Sequence, residues 1–168
     1  MLIRTEAPVD ILAVDRLLKS VFETDSEAEL VMRLRENGRR TLSLVACNDD
    51  GEVVGYVMFS PVTLNDEELN WQALAPLAVK PEYRRQGIAT ELVKEGLIIL
   101  TEFNYPACVV MGDLKFYGQF GFAPGQEYNL QSQRDTTSQD FHAIALTENE
   151  FNERKGVVGF SPEFHSMS

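Results

Sequence analysis

The sequence predicts a mixed α/β fold, a single domain over residues 1–168 whose mostly antiparallel sheet carries one parallel pair and is flanked by helices. Three observations predict it. Apolar, β-branched runs at residues 42–47 and 53–64 are joined by Asn48-Asp49-Asp50-Gly51, the chemistry of a hairpin. Residues 71–79, 87–103 and 107–112 read as strand, helix and strand, with the spacing of a crossover that sets two strands parallel. Leu12, Val14, Leu17, Leu18 and Val21 recur at helical spacing.

In chain order, Ile3 begins a first strand, and Pro8 suits the first turn of a helix that runs to about Phe22. Ser26-x-x-Glu29 has the pattern of a capping box, opening a second helix that carries Leu30, Val31 and Leu34 and ends at Gly38. The two hairpin strands follow, then a polar turn over residues 65–70, then the strand from Trp71 to Val79. After the crossover comes a short helix over residues 114–120. Residues 126–139, rich in Gln and Ser, predict a long loop. Residues 141–146 and 157–160 read as closing strands, with 147–156 a polar excursion between them. There is no internal repeat and no linker composition that would divide the chain.

A chain of 168 residues with 44% hydrophobic content is long enough to bury a sizeable core. No apolar run approaches the ~20 residues of a membrane span. The start, Met1-Leu-Ile-Arg-Thr-Glu6, lacks the apolar core and small-residue cleavage site of a secretory signal. Cys47 and Cys108 fall inside strands and read as buried free thiols, in keeping with a reducing cytoplasm. A net charge of −11 opposes a nucleic-acid partner. Against that background, Lys80, Arg84, Arg85 and Lys94 form a local basic spot suited to an anionic ligand, while the acidic remainder suits a cationic or amine one.

That basic spot coincides with a motif. The strand ending at Val79 feeds Arg84-x-x-Gly87-x-Ala89, which opens the amphipathic helix. The N–H groups from about Arg85 to Thr90 have no partners inside a helix and point, with the positive helix end, at a bound anion. No P-loop and no Gly-x-Gly-x-x-Gly occurs anywhere in the chain. About thirty residues after Gly87 stands Tyr117-x-x-x-Gly121-Phe122, among Phe116, Phe120 and Phe122, which read as core. His142 and His165 have no partners at metal-ligand spacing, so no metal site is read. Nothing near Cys108 in sequence would activate it as a nucleophile.

Residues 71–122, about a third of the chain, resemble the GNAT superfamily of acetyl-CoA-dependent N-acetyltransferases, and Val109-Val-Met-Gly-Asp-Leu-Lys-Phe-Tyr117 with the late Val158-Gly-Phe-Ser-Pro-Glu-Phe164 resembles a bacterial branch of predicted N-acetyltransferases. The resemblance implies that acetyl-CoA is the co-substrate, its pyrophosphate held by Arg84, Arg85, Gln86, Gly87, Ile88, Ala89 and Thr90. It implies that the strand before the loop splays from its parallel neighbour, so that Leu77, Ala78 and Val79 offer backbone groups to the pantetheine arm. Pro76, which cannot donate to a ladder, fits such a distortion. Tyr117 would be the general acid for the departing thiolate. One departure is Val109, where many members carry an asparagine; Gly112 and Asp113 follow, and Asp113 reads as a helix cap.

No general base stands out. Glu23, Glu27 and Glu29 fall where the family forms its acceptor cleft, and Glu27 is taken as the candidate. The expected function is direct transfer of acetyl to a primary amine of a small molecule or peptide, with no nucleic-acid or membrane partner. Transfer of a longer acyl group is open, as is a homodimer, which is common in the family. The alternative is a sensor or interaction module of the same fold that binds acyl-CoA with little or no catalysis.

Overall fold

The structure, a computed structural model, describes residues 1–135 and 139–166. Its elements are β1 (Leu2–Thr5), α1 (Ile11–Val21), α2 (Ser26–Glu36), β2 (Leu42–Cys47), β3 (Val53–Leu64) and β4 (Glu67–Val79). There follow α3 (Ile88–Glu102), β5 (Ala107–Met111), α4 (Leu114–Tyr117), β6 (Ala123–Pro124), β7 (Leu130–Ser132), β8 (Phe141–Ala145) and β9 (Gly156–Phe160). All nine strands share one sheet, in the order β1-β2-β3-β4-β5-β8-β6. β9 pairs with β3 beyond the reach of β2, and β7 pairs with β9. The expected mixed α/β fold, largely antiparallel with a parallel β4–β5 pair, is what the chain adopts.

Two cores follow from the alternation of the strands. α1 and α2 cover one face, where Val14, Leu17 and Leu34 pack on Val45, Tyr56 and Trp71. α3 covers the other, laying Leu92 and Leu100 on Leu44, Val57 and Phe59. The approach of α3 is close: a Cβ at Gly96 would lie 2.4 Å from the Phe59 ring, so only glycine lets the helix down onto β3. That contact sets where the helix begins, and hence where its N–H groups lie.

α2 is tied to the sheet by a buried ion pair. Glu6, whose side chain is 1% exposed, receives the Arg35 guanidinium and accepts a hydrogen bond from Ser43 Oγ at 2.8 Å. Removing one partner of such a pair costs about 3–5 kcal/mol, because the other charge stays buried. The same end of α2 is also clasped by the C-terminal 3-10 turn, where Asn37 Nδ2 donates to Glu163 Oε2 at 2.6 Å.

Several boundaries differ from expectation for local reasons. The turn over residues 65–70 is only two residues long: Asn65 (φ 51°) and Asp66 (φ 66°) adopt the left-handed pair that hairpins favour, and β4 starts at Glu67. The Asn65 side chain also grips β9, accepting from Val157 N at 3.0 Å, a partner 92 residues away. The capping box at Ser26 does not form. Asp25 is the N-cap, and Ser26 N donates instead to Thr24 Oγ1 at 3.3 Å.

Residues 126–139 are not all loop, since Leu130–Ser132 is a strand parallel to β9. Three residues paired to a remote segment leave no periodicity to read. Residues 136–138 of that expected loop lie outside the described residues. Phe151, in the supposed polar excursion, stacks edge-on to Trp71 at 5.2 Å, while Trp71 Nε1 donates to Glu150 at 2.7 Å.

Candidate active site

β4 carries a bulge at Ala75–Pro76: Val57 faces Leu77 while Phe59 faces Leu74, so two residues of β4 oppose Met58 alone. On its other side β4 pairs with β5 at only two steps, Gln72 with Cys108 and Ala73 with Val109. Beyond them the two strands part. Leu74 and residues 77–79 of β4 therefore keep β3 partners, but nothing in 74–79 has a β5 partner, as a splayed pair requires.

At the end of that segment lies the anion loop. A 3-10 turn, Pro81–Tyr83, leads to Arg84, whose Nε donates to Val79 O at 3.3 Å. Arg85 (φ 66°) and Gly87 (φ 81°) are both left-handed, and Gly87 is the N-cap of α3. An added Cβ on Gly87 would touch nothing, so it is the backbone angle that calls for glycine. Arg84, Arg85, Gly87, Ala89, Thr90 and Phe116 are among the residues lining a cavity of 180 Å³ here, with Ile88 and Val79 also in its wall. Gln86 is exposed and does not line it. Ala78 is buried in the α1/α2 core and does not line it either.

A second cavity, 300 Å³, sits where the strands part. Because the sheet is open there, its walls come from both faces: Glu27 and Leu30 of α2 from one, Tyr117 of α4 from the other, with Leu77 of β4 between. Tyr117 is 9% exposed. Burial, reinforced by the neighbouring Cys108 thiol, pushes its hydroxyl up to about 12. Its ring lies so close to Gly112 that a Cβ there would stand 2.5 Å from Cε2. Gly112 is held in turn: its N–H donates to Asp140 O at 2.9 Å, and its carbonyl lies 3.0 Å from His142 Nε2. Asp113 caps α4 as expected, Oδ1 accepting from Lys115 N at 2.9 Å. Phe122 is core, but Phe116 and Phe120 are only half-buried.

The sequence profile described as "Acetyltransferase (GNAT) family" matches residues 11–122. The chain belongs to the GNAT acetyltransferase family. It is 45% identical over 165 residues to an uncharacterised N-acetyltransferase of Escherichia coli K12, YhbS, covering 98% of this chain and 99% of that one. The crystal structure of E. coli YhbS in complex with CoA superposes with a TM-score of 0.96 at 44% identity, covering 99% of this chain and 93% of that one. A GNAT acetyltransferase of Brucella melitensis, in complex with acetyl-CoA, matches at a TM-score of 0.82 and 30% identity, over 97% of both chains.

Within this GNAT fold, the three candidate carboxylates are separated. Glu27 lines the cavity with Tyr117, whereas Glu23 and Glu29 are exposed and do not. The residues that sequence reasoning missed are Arg134, Met111, Phe160 and Phe164, all in the cavity wall. Of these only Phe160 and Phe164, within Val158-Gly-Phe-Ser-Pro-Glu-Phe164, carried any signal. His142, read only as lacking metal partners, turns out to be buried behind Gly112. Among the described residues no group of His, Cys, Asp and Glu could hold a metal ion, and no helix is long and apolar enough to cross a membrane.

Proposed function

We propose that the protein transfers acetyl from acetyl-CoA directly to a primary amine, with Glu27 as base and Tyr117 as acid. The observation that carries this reading is the sharing of one 300 Å³ cavity by Tyr117, Glu27 and the unpaired stretch of β4. Both solved relatives named above were crystallised with CoA or acetyl-CoA. The residues present fit such a ligand: a cationic, left-handed loop on a helix N-terminus for the pyrophosphate and an unladdered strand for the arm.

When bound, acetyl-CoA supplies an activated acyl group. Arg84, Arg85 and the N–H groups of Ile88, Ala89 and Thr90 neutralise and bond the phosphates, and Gln86 contributes at most its backbone. Leu77 and Val79 lead the arm from the loop cavity to the second cavity, two residues apart on one strand. Glu27 takes a proton from the ammonium, directly or through a water. The freed amine then forms the C–N bond, and as the C–S bond breaks Tyr117 gives its proton to sulfur. The second proton of the nitrogen passes to the tyrosinate, directly or through a water, leaving the neutral amide and CoA thiol. A hydroxyl held near 12 carries its proton at neutral pH, as the acid of this step must.

Tyr117→Phe tests this, because it keeps the ring against Gly112 and removes only the proton. Turnover, followed as CoA thiol release, is expected to fall about 10²–10⁴-fold, with acetyl-CoA affinity by calorimetry unchanged. Unchanged turnover would remove Tyr117 from the chemistry. Tight binding with no turnover in the native protein would leave the sensor reading in its place.

A further inference from the structure

The proposed chemistry leaves one polar group of the cavity unused. Its described lining is largely apolar, built on Phe22, Leu30, Met111, Phe160 and Phe164, yet two opposite charges stand in it, Glu27 and Arg134. Arg134 is not carried on a free loop. The preceding residue, Gln133, donates its N–H to Val158 O at 2.8 Å, and Arg134 N donates to Ser132 Oγ at 3.2 Å, with Ser132 itself 1% exposed. The strand that supplies Phe160 to the wall thus also anchors Arg134 at the rim. Among the described residues its guanidinium forms no ion pair, and the side chain is exposed.

A guanidinium beside the pocket of an amine acceptor is costly unless the acceptor carries an anion. An ammonium would meet Glu27 with attraction and Arg134 with repulsion. The same pair becomes complementary if the acceptor bears both signs, since arginine matches the planar, two-oxygen geometry of a carboxylate. A cavity of 300 Å³, at the small end for ligand sites, must also admit the acyl group, which favours a small acceptor.

Resting on the transfer reading above, we propose that the acceptor is an amino acid with an apolar body. Its amine is drawn to Glu27, its carboxylate is held by Arg134, and its body lies against Phe22, Phe160 and Phe164. Arg134 is a binding residue in this scheme and takes no part in proton transfer.

The test measures thiol release from acetyl-CoA with matched acceptors: leucine, methionine and phenylalanine, their amides, the corresponding amines lacking the carboxyl group, and ω-amino acids of increasing length. Wild type should favour carboxylate-bearing acceptors over their amides by about tenfold or more in kcat/KM, chiefly through KM. Arg134→Gln should erase that preference by raising KM for the acids, while the amides, relieved of the charge repulsion, turn over at least as fast as with wild type, and Arg134→Lys should restore part of it. Equal rates for acid and amide, or a preference that survives Arg134→Gln, overturn the acceptor class and leave the transferase reading standing. Absence of turnover across the whole panel overturns the acceptor class too. Calorimetric binding of acetyl-CoA then shows whether the cofactor half of the transfer reading survives.

Discussion

The anion loop and the acceptor cavity lie along the same strand yet are built in opposite ways. The loop is local: Arg84, Arg85, Gly87, Ala89 and Thr90 are near neighbours in the chain, and two left-handed residues plus one helix start shape it. The cavity is remote in every wall, drawing on Glu27, Leu77, Met111, Tyr117, Arg134 and Phe164. What these residues share is only the place where β4 leaves β5. A local site depends on backbone angles and tolerates change elsewhere. A site made at a break in the sheet depends on everything that holds the two faces in register.

Substitutions can set the two regions apart, and the largest effect is expected in the cavity. Glu27→Gln should lower kcat about 10²-fold or more without altering acetyl-CoA affinity, while Glu23→Gln and Glu29→Gln should match wild type. Equal losses for all three would mean that bulk acidity, and not position in the cavity, matters.

The loop should answer in binding alone. Arg84→Ala combined with Gly87→Asp is expected to weaken acetyl-CoA about 10–100-fold, since it removes one charged donor and sets a negative charge and a Cβ at the left-handed N-cap. Thermal stability should fall by only about 1–2 kcal/mol, the strain of a Cβ at the left-handed angle, because nothing lies within 4 Å of the new Cβ. A large loss of stability would show that the loop is also structural.

Gly112→Ala joins the two measures. Its Cβ would press 2.5 Å from the Tyr117 ring, so the ring or the strand end must shift. We expect about 1–3 kcal/mol of destabilisation together with a fall in kcat smaller than that of Tyr117→Phe. Lost stability with full turnover would mean that the ring position is not critical.

The smallest effect is in alkaline stability. Tyr117 is raised from 10.0 to about 12 in the fold, so the folded state holds this proton more tightly than the unfolded chain. Its contribution, of about 2–3 kcal/mol at most, is fully present below about pH 10 and is lost as pH rises through about 12. Urea denaturation across that window should show the fall, and Tyr117→Phe should lessen it. Some slope should remain, because burial and the Glu6 carboxylate also raise Tyr56.

The contrast between the regions explains how much of each was legible. Arg84-x-x-Gly87-x-Ala89 and Tyr117-x-x-x-Gly121-Phe122 announce themselves because turn angles and helix starts are properties of a few consecutive residues. Glu27 was one of three similar carboxylates on and before a single helix, and only the docking of α2 selects it. Arg134 had no signal at all, since its position depends on a three-residue strand paired with residues 156–158. The two-residue turn at Asn65–Asp66 was likewise hidden, because the pairing that extends β4 back to Glu67 lies outside the turn itself.

The sequence alone determined the order of the helices and of all strands but the short β6 and β7, the antiparallel meander followed by a crossover, the anion loop and the tyrosine. Each is encoded in periodicity or in short-range backbone preference, which act before the chain is compact. The tertiary structure alone decided where β4 and β5 separate, which carboxylate shares a cavity with Tyr117, and that an arginine lines the same cavity. Those outcomes depend on two cores packing on opposite faces of one sheet, through contacts between residues tens of positions apart that no local pattern records.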